Sequence, residues 1–126
     1  MDKVAFILNV PHTLLGLVVS LFLLPSSIRL NEKPFAFIIK VRRDSFGFGY
    51  MKGWRGMTVG HVVILNPREE EKDLEHELIH VEQQMRTPLI QPILYTIELL
   101  RKGYRNNKYE EEAYSRAGNA YKTGKY

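Results

Sequence analysis

The chain contains no cysteine. That excludes a disulfide framework and any thiolate metal site, so a metal here would be held by nitrogen and oxygen. It carries no information about redox compartment. Internal repeats and low-complexity tracts are absent, which removes repeat arrays from consideration. No nucleic-acid-binding motif is present. The basic residues are scattered, apart from Arg42-Arg43 and a tail with Lys122 and Lys125. The net charge of +4 therefore reads as ordinary solubility with weak attraction to acidic surfaces, not as a nucleic-acid footprint. What is present is 126 residues with 44% hydrophobic content. That suits one domain with a core of thin margin, to which a bound metal would add stability.

Residues 4–24, "VAFILNVPHTLLGLVVSLFLL", are nearly unbroken apolar and long enough to span a bilayer. Asn9, Pro11 and His12 interrupt the run, Pro11 would kink a helix, and Gly16 follows. As a secretory signal it is poor: Asp2 and Lys3 cancel, and no small-x-small site precedes Pro25. Two readings stay open, a buried or hairpin-like core element and a membrane-inserted or interfacial helix, the first slightly ahead. The corresponding localisation is cytoplasmic or membrane-associated, without secretion by a cleaved signal.

After Pro25 the texture changes. "FAFIIKV" (35–41) reads as a strand. Residues 44–60 carry five glycines and suggest a hairpin or bulged connection. "HVVILN" (61–66) is a second strand. Asn66 as N-cap, Pro67 at the first position and Glu69 in a capping box predict a helix over 67–86, ending before Pro88. Further helices are expected over 88–103, regular from Pro92 and closed by Gly103, and over 108–122. The fold class is α+β: a small twisted sheet or hairpin packed on two helices, preceded by the apolar helical segment.

On a helix advancing roughly 100° per residue, Leu74, Leu78, Val81 and Met85 form one apolar stripe. His76 and His80 fall together nearly opposite, with Glu77 on the shoulder beside them. Glu71, Glu75, Glu82 and Arg86 share a solvent-like sector. A merely solvated helix needs one inward face; this one has a second, made of imidazole. Imidazoles at i and i+4 can both reach one Zn²⁺ at about 2.0–2.1 Å, and a carboxylate next to the first lies near the metal without binding it. There it can accept a proton from metal-bound water. The pattern H-E-x-x-H alone arises by chance in long helices, and a third ligand is needed. No H-x-x-G-x-x-H continuation follows His80, so the metzincin pattern is absent. In "YEEEAY" (109–114), Glu110 shares a face with Ala113, Tyr114, Ala117 and Tyr121, whereas Glu111 and Glu112 project away. Given a metal, Glu110 is the favoured ligand, and the small Ala113 and Ala117 would let its helix come close.

"HELIH" followed by "ExxA" on a separate helix resembles the gluzincin metallopeptidases, and the short chain resembles their minimal single-domain forms, the minigluzincins. The resemblance spans roughly residues 58–120. It implies one zinc per chain on His76, His80 and Glu110, with Glu77 as general base and acid. It also implies a peptide or protein substrate that pairs with an edge strand preceding the H-E-x-x-H helix, through Gly60, His61, Val62 and Val63. Two positions depart from the family pattern. Tyr114 stands where many members carry an acidic residue that orients a histidine, and no oxyanion-stabilising Tyr or His is assigned, with Tyr104, Tyr109 and His61 as candidates. His12 and His61 otherwise read as structural or surface histidines. Competing expectations are a latent or inactive zinc-binding domain closed by the tail 122–126, and a membrane-associated module in which residues 4–24 contact a membrane surface.

Overall fold

The computed structural model describes residues 3–44, 54–104 and 106–118. Helix α1 (Lys3–Leu8) breaks at Asn9 and continues as α2 (Val10–Phe22), with Pro11 at the start of the second helix, where its missing N–H costs nothing. Strands β1 (Pro25–Glu32), β2 (Phe35–Val41), β3 (Gly56–Val59) and β4 (Val62–Leu65) follow, then helices α3 (Asp73–Arg86), α4 (Gln91–Lys102) and α5 (Lys108–Ala117). The α+β expectation holds, with a four-stranded mixed sheet in place of a bare hairpin.

The sheet order is β1-β2-β4-β3. β1 runs antiparallel to β2, β2 parallel to β4, and β3 antiparallel to β4. β4 is therefore an inner strand and β3 the edge. Alternation along β2 and β4 divides the core. Ile39, Val41, Val62 and Ile64 pack with Leu17, Val19 and Leu23, while Ala36, Ile38, Val63 and Leu65 pack with Leu74, Leu78, Val81 and Met85. The apolar stripe expected for α3 thus faces the sheet, with Val81 buried and Leu74, Leu78 and Met85 half-buried. β1 was not expected as a strand. It is mostly exposed, so no burial pattern marks it in the sequence.

The helix predicted to begin at Pro67 begins at Asp73. Asn66 caps nothing: its Nδ2 donates to the Trp54 and Asp44 carbonyls, and its Oδ1 accepts from Arg68 N–H. Residues 67–72 form turns instead, ending on Lys72 at φ 70°. The start is set by buried Asp73, whose carboxylate takes two hydrogen bonds from Arg55, at 2.7 and 3.1 Å, and one from Glu70 N–H. This bidentate pair ties the beginning of β3 to the beginning of α3, and the Asp73 contact raises the Arg55 pKa. α4 ends at Gly103 as expected. α5 is capped by Asn107, whose side chain accepts from Tyr109 N–H, and closes on Gly118 in the left-handed region. The end expected at residue 122, and most of the glycine-rich stretch 44–60, lie outside the described residues.

α2 lies tightly on the sheet. A Cβ on Gly16 would stand 2.7 Å from the Val59 carbonyl oxygen and 2.8 Å from Val62 Cβ. At the β3–β4 turn Gly60 has φ +61°, and a Cβ there would stand 2.3 Å from Thr13 N. Glycine is required at both positions by close approach. No described helix is long and apolar enough to cross a membrane.

Candidate metal centre

α3 and α5 meet through Ile79, Ala113 and Ala117, the small residues allowing the close approach the sequence suggested. On the solvent side the pair is tied by Arg86–Glu112 at 2.8 Å and by Arg116–Glu82 at 3.0 Å, and Arg116 also bonds Glu112 within α5 at 3.0 Å. Burial opposes ionisation of Glu112, but hydrogen bonds from Arg86, Gln83 and Arg116 outweigh it and hold the carboxyl below its usual range. Glu112 is therefore a clamp between helices, as its outward projection implied.

The inner side of the same contact brings the three expected ligands together. Glu110 Oε1 lies 3.0 Å from His76 Nε2 and 3.0 Å from His80 Nε2, and the two nitrogens are 3.2 Å apart. All three residues are buried. Tetrahedral ligands at zinc bond lengths of about 2.0–2.1 Å stand about 3.3–3.4 Å from one another, close to what is observed.

The hydrogen-bond logic points the same way. Gln83 Nε2 donates to the Tyr109 carbonyl and to Glu112, so Gln83 Oε1 is the atom 2.8 Å from His80 Nδ1. His80 Nδ1 must then carry a proton, which leaves Nε2 as the ring atom facing the Glu110 oxygen. Two imidazole nitrogens and a carboxylate converging on one point call for positive charge between them, and the donor set fits a divalent cation of the zinc type.

Tyr114 fills the position where an acidic residue was considered. Its ring packs edge-on against His76 at 4.1 Å between centroids, and its hydroxyl lies 2.8 Å from that of Tyr104. It thus positions His76 by contact. Comparison with protein-family models, curated proteins and solved structures returns no match.

The remaining residues sort by position. The Thr58 hydroxyl lies 2.7 Å from Glu77 Oε1, so β3 holds the buried Glu77 carboxylate in place. Glu77, His80 and Glu110 line a cleft of about 290 Å³ together with Met57, Thr58 and Val59 of β3. The residues expected to pair with a substrate, 60–63, do not lie on an edge strand. Val62 and Val63 are fully buried, with β4 paired on both sides, and only Gly60 of the four reaches the cleft. His61 sits inside the fold, with Nδ1 2.7 Å from the Phe35 carbonyl and Nε2 facing Asn9 Nδ2 at 3.3 Å. Burial lowers its pKa. The edge strand beside the cleft is β3, and no described strand pairs with its outer side.

Of the oxyanion candidates, Tyr104 belongs to the core, where burial and the neighbouring Glu110 charge raise its pKa. Tyr109 stacks on Tyr95. Tyr95 itself is the described tyrosine that lines the cleft, and its hydroxyl donates to Glu110 Oε2 at 2.5 Å. The sequence offered little to single it out beyond one phenol in an aliphatic helix. Gln83 carried no signal either. The tail held responsible for latency lies outside the described residues.

Proposed function

We propose that this chain is a zinc-dependent peptidase of minimal gluzincin type. The observation that carries the reading is the convergence of His76 Nε2, His80 Nε2 and Glu110 Oε1 at 3.0–3.2 Å beside the cleft-lining carboxylate of Glu77. Zn²⁺ at these ligands would supply Lewis acidity and bring the pKa of bound water to about 7.

The chain's own residues divide the remaining work. An extended peptide adds to the outer edge of β3, with main-chain hydrogen bonds setting its register. Glu77 accepts a proton at its carboxylate and delivers it to the leaving amine nitrogen. Thr58 keeps that carboxylate oriented by the hydrogen bond to Oε1. Tyr95, on the cleft wall, would donate to the oxyanion by turning its hydroxyl away from Glu110 Oε2.

The test is Glu77→Gln, assayed for zinc content and for cleavage of fluorogenic peptides. The variant should keep its zinc and lose at least about a hundredfold in turnover. Equal cleavage by variant and wild type would remove Glu77 as the base. A zinc-loaded wild type that cleaves no peptide would leave a zinc-binding protein without this activity.

A further inference from the structure

Two helices of this fold are arranged inside out. In α2 the buried positions are Thr13, Gly16 and Ser20, preceded by buried Asn9, with Leu17 and Val19 half-buried against the core, while Leu14, Val18, Leu21 and Phe22 face outward, Phe22 at 75% exposure. Three of these inward residues have a specific role outside the helix. Thr13 accepts from His61 N–H, Gly16 admits the β3 backbone, and Asn9 donates to the Gln84 carbonyl. α4 repeats the arrangement. Gln91 and Glu98 are buried, and Ile90, Ile93, Ile97 and Leu100 form an outward stripe at i, i+3, i+7 and i+10, Leu100 at 81% exposure. A helix exposed to water normally shows the opposite pattern, and apolar surface of this extent marks an interaction site.

The two faces are built together. Leu89, just before α4, adopts φ +69°, a conformation that a leucine side chain disfavours. It is held there from both sides: Asn9 Oδ1 accepts from its N–H at 2.8 Å, and His12 Nε2 contacts its carbonyl at 2.9 Å. Leu15 of α2 and Pro92 of α4 then line the same cleft as the metal ligands. Charge distribution identifies the occupant. No Asp, Glu, Lys or Arg occurs from Val4 to Ile28, between Lys3 and Arg29, or from Thr87 to Ile97, between Arg86 and the buried Glu98, with Arg101 and Lys102 one turn further on. Uncharged apolar stretches with the exposed cations Arg29 and Arg101 near their ends match acyl chains beneath anionic headgroups. α2 has 13 residues, and at 1.5 Å each it measures about 20 Å, too short to cross the roughly 30 Å hydrocarbon core.

We propose that the outer faces of α2 and α4 form one lipid-docking surface, which lays the protein on an anionic bilayer with the cleft opening at headgroup level. The inference stands on the exposed faces and their charge boundaries and is independent of the peptidase reading.

Full-length protein would be floated with vesicles of phosphatidylcholine containing phosphatidylglycerol, and with phosphatidylcholine alone. Wild type should float with the anionic vesicles. The pairs Leu21→Gln/Phe22→Gln and Ile97→Gln/Leu100→Gln should each weaken binding by at least about tenfold while keeping wild-type circular dichroism. Failure of wild type to bind would overturn the proposal, as would one pair having no effect. A dimer in sedimentation that dissociates in the variants, without flotation, would assign the surface to a second copy of the chain and equally overturn it. Glu77→Gln should float like wild type, which separates this result from the fate of the catalytic reading.

Discussion

Gln83 Oε1 holds the Nδ1 edge of His80 at 2.8 Å, one helical turn from the ring it orients. The Gln83 amide is itself anchored on α5 through the Tyr109 carbonyl and Glu112. The contact therefore couples ligand orientation to the packing of the two helices that supply the ligands. Removing such a partner typically costs 10- to 100-fold in metal affinity. Gln83→Leu should weaken zinc binding by about that factor in competition with a chromophoric chelator, with the fold retained. Gln83→Glu, which keeps an acceptor oxygen, should lose less. Unchanged affinity in the leucine variant would mean that His80 is held by packing alone.

The ligand set itself predicts a linkage between metal and stability. Zinc at about a hundred times its dissociation constant should stabilise the wild type by about 2.7 kcal/mol, read as a rise in the thermal midpoint. His80→Ala and Glu110→Ala should lose both the stabilisation and the zinc seen by plasma mass spectrometry, because each removes one of three converging atoms. Wild type without zinc, even after refolding in its presence, would remove the metal centre and the peptidase reading with it.

His61 should make stability sensitive to mild acid. Its pKa is lowered from the usual 6.5 chiefly by burial. With Nδ1 on the Phe35 carbonyl, protonated Nε2 would also face the Asn9 amide, donor against donor. A depressed folded pKa means that the unfolded chain takes up the proton first. The contribution is therefore fully present above pH 6.5 and is lost as pH falls through the lowered folded value. Urea unfolding of the metal-free protein at several pH values should show a shallower acid dependence for His61→Gln than for wild type. Identical slopes would show that His61 does not contribute to the acid sensitivity.

Gly16→Ala sets two effects against each other. Alanine in a helix interior gains about 0.5–1 kcal/mol over glycine, but its Cβ would meet the Val59 carbonyl oxygen at 2.7 Å. That oxygen belongs to edge strand β3 and cannot retreat without moving the strand. Overpacking of this kind costs about 1–3 kcal/mol, so the variant should be less stable in urea. A neutral or stabilised variant would place α2 farther from the sheet.

The legible parts of this protein were local ones. The spacing of His76, Glu77 and His80, the apolar stripe of Leu74, Leu78, Val81 and Met85, and the choice of Glu110 over its two neighbours follow from helical period alone, and the fold keeps all of them. Gly103 as a helix stop is likewise a property of a few consecutive residues. The errors share the opposite character. Asn66 is a good cap in isolation, yet it bonds to Trp54 and Asp44, because Arg55 claims Asp73 and sets the helix start there. β1 escaped notice because an exposed edge strand has no burial pattern to display.

The sequence by itself thus determined which side chains share a face and which residue types stand ready to hold a cation, since 3.6-residue periodicity and side-chain chemistry act over a turn or two. Only the tertiary structure decided that β3 and not β4 borders the cleft, that Gln83 orients His80, and that Tyr95 reaches Glu110. It alone also showed that α2 and α4 turn their apolar sides outward. An apolar run records that burial is favourable but not which neighbour supplies it, and here the sheet accepts the small and polar residues with Leu17, Val19 and Leu23 and leaves Leu14, Val18, Leu21 and Phe22 exposed.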